Sequence, residues 1–178
     1  VGFSPSKRNV VAMRGINDDE LFQFANLSVQ NPYHIRFIEY MPIALDGKWR
    51  LQKYISSDEI KSKLNTFGSR HKIPRSIHAG PARRYRFKSA RGEICFISAL
   101  RHHFCPSCNR LRLTADGKLR PCLLADDEID IKTPLRNGCS QEDLKRLLSK
   151  ASAEKPREHH AECLERGQCL RPMVAIGG

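Results

Sequence analysis

The sequence contains no apolar run long enough to span a bilayer and no secretory signal pattern. The first absence excludes a membrane-spanning helix within these residues. The second makes a disulfide framework a poor account of seven cysteines, an odd number, and favours reduced thiols and metal binding. There is no internal repeat and no low-complexity tract, so neither a solenoid nor a disordered linker fits. Acidic residues are scarce, 19 against 31 Lys and Arg, leaving a net charge of +12. That imbalance calls for an anionic partner: nucleic acid, an anionic membrane surface or a phosphorylated small molecule. The 178 residues have room for one domain or two small ones. The chain opens in mid-phrase on Val1-Gly2-Phe3-Ser4-Pro5, which reads as a piece of something longer.

What is present begins with alternating strand and helix signals, an α/β pattern. Val10 to Met13 form a short apolar run that predicts a strand. Asn17 and Glu20 read as a capping box for a helix over Asp18 to Val29, with Leu21, Phe24, Ala25 and Leu27 on one face. Ile35 to Met41, bounded by Pro32 and Pro42, predicts a second strand, and strand–helix–strand at this spacing predicts parallel pairing. Arg36 and Glu39 are charges inside that strand, costly unless paired or bound. Trp49 reads as a packing anchor in a loop. Ser56 and Glu59 start another helix, with Gly68 suited to its C′ position. Ser69 to Ala82 reads as basic and irregular, followed by strands at Tyr85–Phe87 and Ile94–Ile97. Ser140 and Asp143 cap a helix carrying Leu144, Leu147 and Leu148. Arg83, Arg84, Arg86, Lys88 and Arg91 interleave with Tyr85 and Phe87. That pattern fits a half-buried strand with a solvated face better than a nucleic-acid track.

The chemistry concentrates between His102 and Cys122. Cys105 and Cys108 are a C-x-x-C pair, the spacing that lets two sulfurs bind one metal centre from a tight turn. Asp116-Gly117 is a hairpin-turn dipeptide that brings Cys122 back toward the pair. Two sites fit this spacing. One is a closed Cys₃His zinc site completed by His102 or His103. The other is a [4Fe–4S] cluster with three thiolates and one open iron, able to bind a substrate heteroatom. Arg110 and Arg112 alternate with Leu111 and Leu113; they are either solvated strand positions or guanidinium forks aimed at phosphate. If arginines and cysteines share a ligand, the turn needs a three-residue loop including Lys118, which sets Cys122 opposite Arg112. Cys95, Cys139, Cys163 and Cys169 have no matching spacing and read as incidental thiols.

His103 to Leu123 closely resembles the C-terminal signature of the GTP 3′,8-cyclase family, radical S-adenosylmethionine enzymes of molybdenum-cofactor biosynthesis. Asn9–Glu20, Arg36–Pro42, Thr133–Gly138 and the terminal Gly177-Gly178 resemble it too. The resemblance implies residues 1–68 as the last βα units of an incomplete TIM-type barrel, and residues 69–178 as an α+β region carrying an iron–sulfur cluster and binding GTP. It implies Cys105, Cys108 and Cys122 as ligands of a [4Fe–4S] cluster whose open iron takes the guanine. Lys7, Arg110, Leu111 and Arg112 become GTP contacts, Met41 and Arg36 S-adenosylmethionine contacts, and Gly177-Gly178 a tail entering the active site. The implied reaction converts GTP to (8S)-3′,8-cyclo-7,8-dihydroguanosine 5′-triphosphate in the cytoplasm. The expected partners are GTP, a second copy in a homodimer, and a downstream cyclic pyranopterin monophosphate synthase, with neither nucleic acid nor membrane. The family's Cys-x₃-Cys-x₂-Cys motif, which holds the cluster that binds S-adenosylmethionine, does not occur in these residues, so this chain is not expected to complete the reaction alone. The alternative reading is a basic, cysteine-rich zinc module that binds nucleic acid.

Overall fold

A βαβ unit opens the chain, as the spacing predicts. In this computed structural model, which describes residues 4–43, 50–74, 80–102, 104–158, 171 and 173–176, strand β1 (Ser6–Ala12) leads to helix α1 (Leu21–Gln30) and strand β2 (Tyr33–Glu39). The two strands pair in parallel from Ser6 opposite Tyr33 to Ala12 opposite Glu39. The helix starts three residues later than the sequence suggests. Asn17 and Asp18 are engaged in the preceding loop: Met13 N–H donates to Asn17 Oδ1 at 2.8 Å and Gly15 N–H to Asp18 Oδ1 at 2.7 Å. Glu20 occupies the cap position with no side-chain cap bond. The polar residues that spell a capping box serve the turn after β1 instead.

Helix α2 (Ser57–Asn65) follows, with Ser56 Oγ accepting from Glu59 N–H at 3.1 Å. Only half of that box forms, because the Glu59 carboxylate accepts from Arg14 Nη2 at 2.7 Å. The helix ends at Thr66, so Gly68 does not serve as its left-handed stop. Strands β3 (Arg70–Lys72), β4 (Arg83–Phe87) and β5 (Glu93–Ile97) complete a five-stranded sheet of order β1-β2-β5-β4-β3. β5 runs parallel to β2, while β4 and β3 are antiparallel additions. One face of this sheet meets the helices. Val10, Ala12, Ile35, Phe37, Ile94 and Phe96 pack there with Leu21 and Ala25 of α1 and Ile60 and Leu64 of α2, all buried. Trp49 lies outside the described residues.

From Cys105 onward a second compact unit forms. A three-stranded antiparallel sheet of β6 (Arg112–Leu113), β7 (Lys118–Arg120) and β8 (Ile129–Asp130) is followed by α3 (Lys132–Arg136), α4 (Gln141–Ala153) and the short α5 (Met173–Ile176). Leu119, Ile129, Ile131 and Ala151 make its core, with Leu147 against them. The α4 capping box is complete: Asp143 N–H donates to Ser140 Oγ at 3.1 Å and Ser140 N–H to Asp143 Oδ2 at 3.2 Å. The units change over between Phe104 and Cys105. The sequence suggests a boundary near residue 68; the strands after it pair into the first unit's sheet and move the changeover forward. No helix among the described residues is long and apolar enough to cross a membrane.

Candidate functional site

The face of the five-stranded sheet turned away from the helices is polar. Register alone lines up Asn9, Arg36, Cys95 and Arg84 across four strands, and Lys7, His34 and Glu93 one row below. Glu93 is only 2% exposed. Arg84 grips it with two bonds, Nε to Oε2 and Nη2 to Oε1, both 2.7 Å, and Arg86 Nη2 donates to Oε1 at 2.9 Å. His34 Nε2 lies 3.9 Å from Oε2. Burial by itself would raise the Glu93 carboxyl, but Arg84, His34 and Arg86 together hold it below its ordinary range. Burial pushes the His34 imidazole down; Glu93 opposes this, while Arg84, Lys7 and Arg86 reinforce it. The Cys95 thiol goes up to about 11, through burial and then Glu93. The basic residues of β4 are therefore more than a solvated edge. Glu93, the residue that organises them, is not visible to a search for cationic runs; the signal is a lone acid between Arg91-Gly92 and the apolar Ile94–Ile97.

These shifts give a pH dependence. A histidine lowered by folding stabilises the fold above its unfolded pKa and withdraws that support as pH falls; a lowered carboxyl does the same further down. Thermal midpoints are expected to fall from about pH 6.5 downward and again below about pH 4.5. In His34→Gln the first decline should disappear from a midpoint-versus-pH series, leaving the second; an unchanged profile would remove His34 from the account.

At the other end of β2, Glu39 is buried and accepts from Ser57 N–H at 3.0 Å and Leu100 N–H at 2.9 Å. The charge that looked costly in a strand is thus paired, tying β2 to the first turn of α2. Burial first, and the Glu39 charge next, push the Tyr54 phenol well above its ordinary range. Met41 follows β2 half-buried. His102 Nε2 lies 2.6 Å from Asp58 Oδ2 in the first turn of α2. His103 lies outside the described residues.

In the second unit Cys105 and Cys108 share one 3₁₀ turn, with Cys108 N–H donating to Cys105 O at 3.0 Å. The hairpin does use a three-residue loop, but over Ala115–Gly117, one residue earlier than the sequence suggests. Thr114 fixes it: its N–H donates to Lys118 O at 2.9 Å, its Oγ1 accepts from Lys118 N–H at 2.9 Å, and its O accepts from Gly117 N–H at 3.0 Å. Gly117 stands at φ +86°. Arg112 therefore pairs with Arg120, and the same register continued would set Cys122 level with Arg110 rather than Arg112. Arg112 is half-buried while Arg110 and Leu111 are exposed. Burial, then Arg110, lower the Arg112 guanidinium, and Cys108 and Cys122 act in the opposite sense. Lys155, just past α4, donates from Nζ to both Arg110 O and Pro121 O, the latter at 2.9 Å.

Behind the hairpin lies an ion network that the spacing does not reveal. Arg120 is 1% exposed; it donates to Ala125 O, to Glu128 Oε1 at 3.1 Å and to Asp126 Oδ1 at 3.2 Å. Arg171 reaches both Asp116 oxygens, at 3.0 and 2.8 Å, and Glu128 Oε2 at 2.8 Å.

Residues 33–161 match the family described as Molybdenum Cofactor Synthesis C. The chain belongs to that family. It is 46% identical over 175 residues to the GTP 3′,8-cyclase of Desulforamulus reducens, covering 98% of this chain and 53% of that protein. The GTP 3′,8-cyclases of Moorella thermoacetica (46%, 99% of this chain and 54% of that protein) and Heliobacterium modesticaldum (48%, 98% and 54%) are similar to it in the same way. The chain spans about half the length of these relatives. In this Molybdenum Cofactor Synthesis C chain, Cys105, Cys108 and Cys122 are half-buried and outside any disulfide, a soft donor set suited to an iron–sulfur group. Among the described residues no three His, Cys, Asp or Glu side chains meet at metal-ligating distance. The donor chemistry fits a cluster. Lys7 and Arg36 lie on the polar sheet face; Cys163, Cys169, Gly177 and Gly178 lie outside the described residues.

Proposed function

We propose that this chain is the substrate-binding part of a GTP 3′,8-cyclase, which converts GTP to (8S)-3′,8-cyclo-7,8-dihydroguanosine 5′-triphosphate by S-adenosylmethionine-dependent radical chemistry. The parallel βαβ start is then the last portion of a TIM-type barrel. Cys105, Cys108 and Cys122 would hold a [4Fe–4S] cluster, and such a group, when bound, supplies an open iron that takes a heteroatom of the base. Arg110 and Arg112 hold phosphate oxygens, with Leu111 between them; Lys7 adds a GTP contact, Met41 and Arg36 meet S-adenosylmethionine, and Gly177-Gly178 enters the site. A homodimer and a downstream synthase would complete its surroundings.

One observation supports this reading beyond the kinship: Arg112 is half-buried on the same hairpin that carries Cys108 and Cys122. A closed structural zinc site has no use for a desolvated guanidinium at its thiolates, whereas a site for an anionic ligand does. Anaerobic loading with iron and sulfide should give a brown chain with about four irons. GTP should bind the loaded chain and change its electron paramagnetic resonance signal. Cys122→Ser should lose the iron. Arg112→Ala should keep the iron and weaken GTP binding about tenfold, the loss expected of a charged hydrogen bond. A colourless chain carrying one zinc would reject the reading, as would oligonucleotide binding that matches GTP in strength.

A further inference from the structure

The core of the second unit is open along one side. Leu113 pairs with Leu119 and Leu119 with Ile129, and residues paired across an antiparallel ladder share a face, so the three form one apolar row. Leu119 and Ile129 are covered, at 5% and 8% exposure, while Leu113, on the end strand β6, is 56% exposed. A single exposed leucine is ordinary and calls for no partner. Leu113 is not single. It lines a groove of about 370 Å³ together with Leu135, itself 48% exposed, and with Ile131 of the buried core. The groove is built in advance. Gly117 O accepts from both Ile131 N–H and Lys132 N–H at 3.1 Å, which ties the hairpin loop to the start of α3. A Cβ on Gly117 would stand 2.5 Å from Lys132 Cβ, so the loop lies directly against the lysine stem. The charge in the lining has one sign. Lys132 and Arg136 are both exposed and one turn apart on α3, a spacing at which like charges repel. Among the described residues neither is in an ion pair: Asp116 and Glu128 are taken by Arg171 and Arg120, and Asp130 Oδ1 accepts from the Lys132 and Thr133 N–H groups.

We infer that this groove docks an acidic amphipathic helix of a partner protein, which seats a large apolar side chain against Leu113 and Leu135 and sets carboxylates against Lys132 and Arg136. Charge and shape select this occupant. A volume at the low end of small-molecule sites has room for one or two large side chains. Its leucine and isoleucine lining offers a nucleotide base or sugar little to hydrogen-bond. Two cations one turn apart match carboxylates spaced i, i+3 or i, i+4 on a facing helix, and an apolar helix face laid in a groove is a recurrent mode of recognition. The repulsion between the cations is relieved when such a helix arrives. The inference stands apart from the GTP reading, because Leu113, Lys132, Leu135 and Arg136 are not among the residues proposed to hold cluster, GTP or S-adenosylmethionine.

The probe is a random peptide library about fifteen residues long, the length at which a lone helix begins to hold. It is displayed on phage and selected against the whole chain. Recovered peptides should be rich in Asp and Glu, with Leu, Phe or Trp at helical spacing. One of them, synthesised with a fluorophore, should bind the chain in an anisotropy titration and weaken as salt is raised. Leu135→Ser should bind it about tenfold more weakly or worse, the loss expected when an apolar anchor is removed. Lys132→Glu and Arg136→Glu should each weaken it by a similar factor of about ten, because a like charge then faces the peptide carboxylates. All three positions are exposed, so each variant should melt at the wild-type temperature and take up iron as the wild type does. Recovery of no peptide, of peptides without acidic residues, or of peptides that bind Leu135→Ser as well as wild type would overturn the inference. Sedimentation as a dimer that Leu135→Ser abolishes would also overturn it, giving the groove to a second copy. Leu135-dependent pelleting with phosphatidylserine vesicles would give it to a membrane surface and overturn it equally.

Discussion

Gly92→Ala is expected to cost the first unit about 3 kcal/mol or more in a urea titration at pH 7, a large share of the roughly 5–15 kcal/mol that holds a domain folded. A Cβ at this position would stand 2.1 Å from Tyr33 O, 2.7 Å from Asn31 O and 2.7 Å from Tyr33 N. All three are backbone atoms and cannot rotate aside. The contact is close because the turn before β5 is stitched to the end of α1: Gly92 N–H donates to Ser28 O at 2.7 Å and Arg91 N–H to Val29 O at 3.2 Å. Relieving the clash means parting β5 from β2, which also displaces Glu93. Gly15→Ala is the comparison. Nothing lies within 4 Å of its new Cβ, and only its φ of +68° is unfavourable, so about 1 kcal/mol is expected. Equal losses at the two glycines would show that the approach at Gly92 yields easily.

The second large effect concerns Glu128. Glu128→Ala should destabilise the second unit by about 3 kcal/mol, because it leaves the Arg120 guanidinium, whose side chain is 0% exposed, short of its main counter-charge. It also takes from Arg171 one of its two acidic partners, since Arg171 Nε donates to Glu128 Oε1 at 2.7 Å, and leaves it Asp116 alone. Arg120→Met should cost less. It removes the buried charge itself, and Glu128 keeps Arg171 and a 3.4 Å contact with Lys118. Paired denaturation curves of the two variants test the order. If Arg120→Met proves the worse of the two, the packing of the arginine stem outweighs its charge.

The elements best read from sequence are those in which one signal decides. β1 and β2 each announce themselves by a short apolar stretch, although β1 begins four residues before its own, at Ser6, and their parallel pairing follows from the helix between them. Ser140 and Asp143 form the box that their spacing predicts, because the competing Arg146 takes only Asp143 Oδ1 and leaves Oδ2 to Ser140. Where two uses compete, the reading slips. Asn17 and Asp18 could cap a helix or brace a loop, and the loop wins. β3 has no apolar residue at all; Arg70–Lys72 is a strand only because the β4 backbone offers it partners, a fact of tertiary pairing. The hairpin turn depends on which residue takes positive φ and where a hydroxyl can reach back, and Thr114 decides that against the Asp116-Gly117 rule. The three cysteines and Arg112 are legible because they cluster in sequence. Glu93, Arg84, Lys7 and Arg36 come from four strands and meet only through register.

Lys155 sets a mechanical condition on the cysteine hairpin. Its amine hooks the carbonyls of Arg110 and Pro121, the chain passages next to Cys108 and Cys122, and it stands directly after the thirteen residues of α4. α4 is therefore a ruler as well as a packing element. A one-residue insertion within it would turn Lys155 by about 100° and carry it about 1.5 Å along the axis, unhooking both passages at once. The length of a helix with no cysteine of its own thus decides whether the passages next to Cys108 and Cys122 stay tied to one amine.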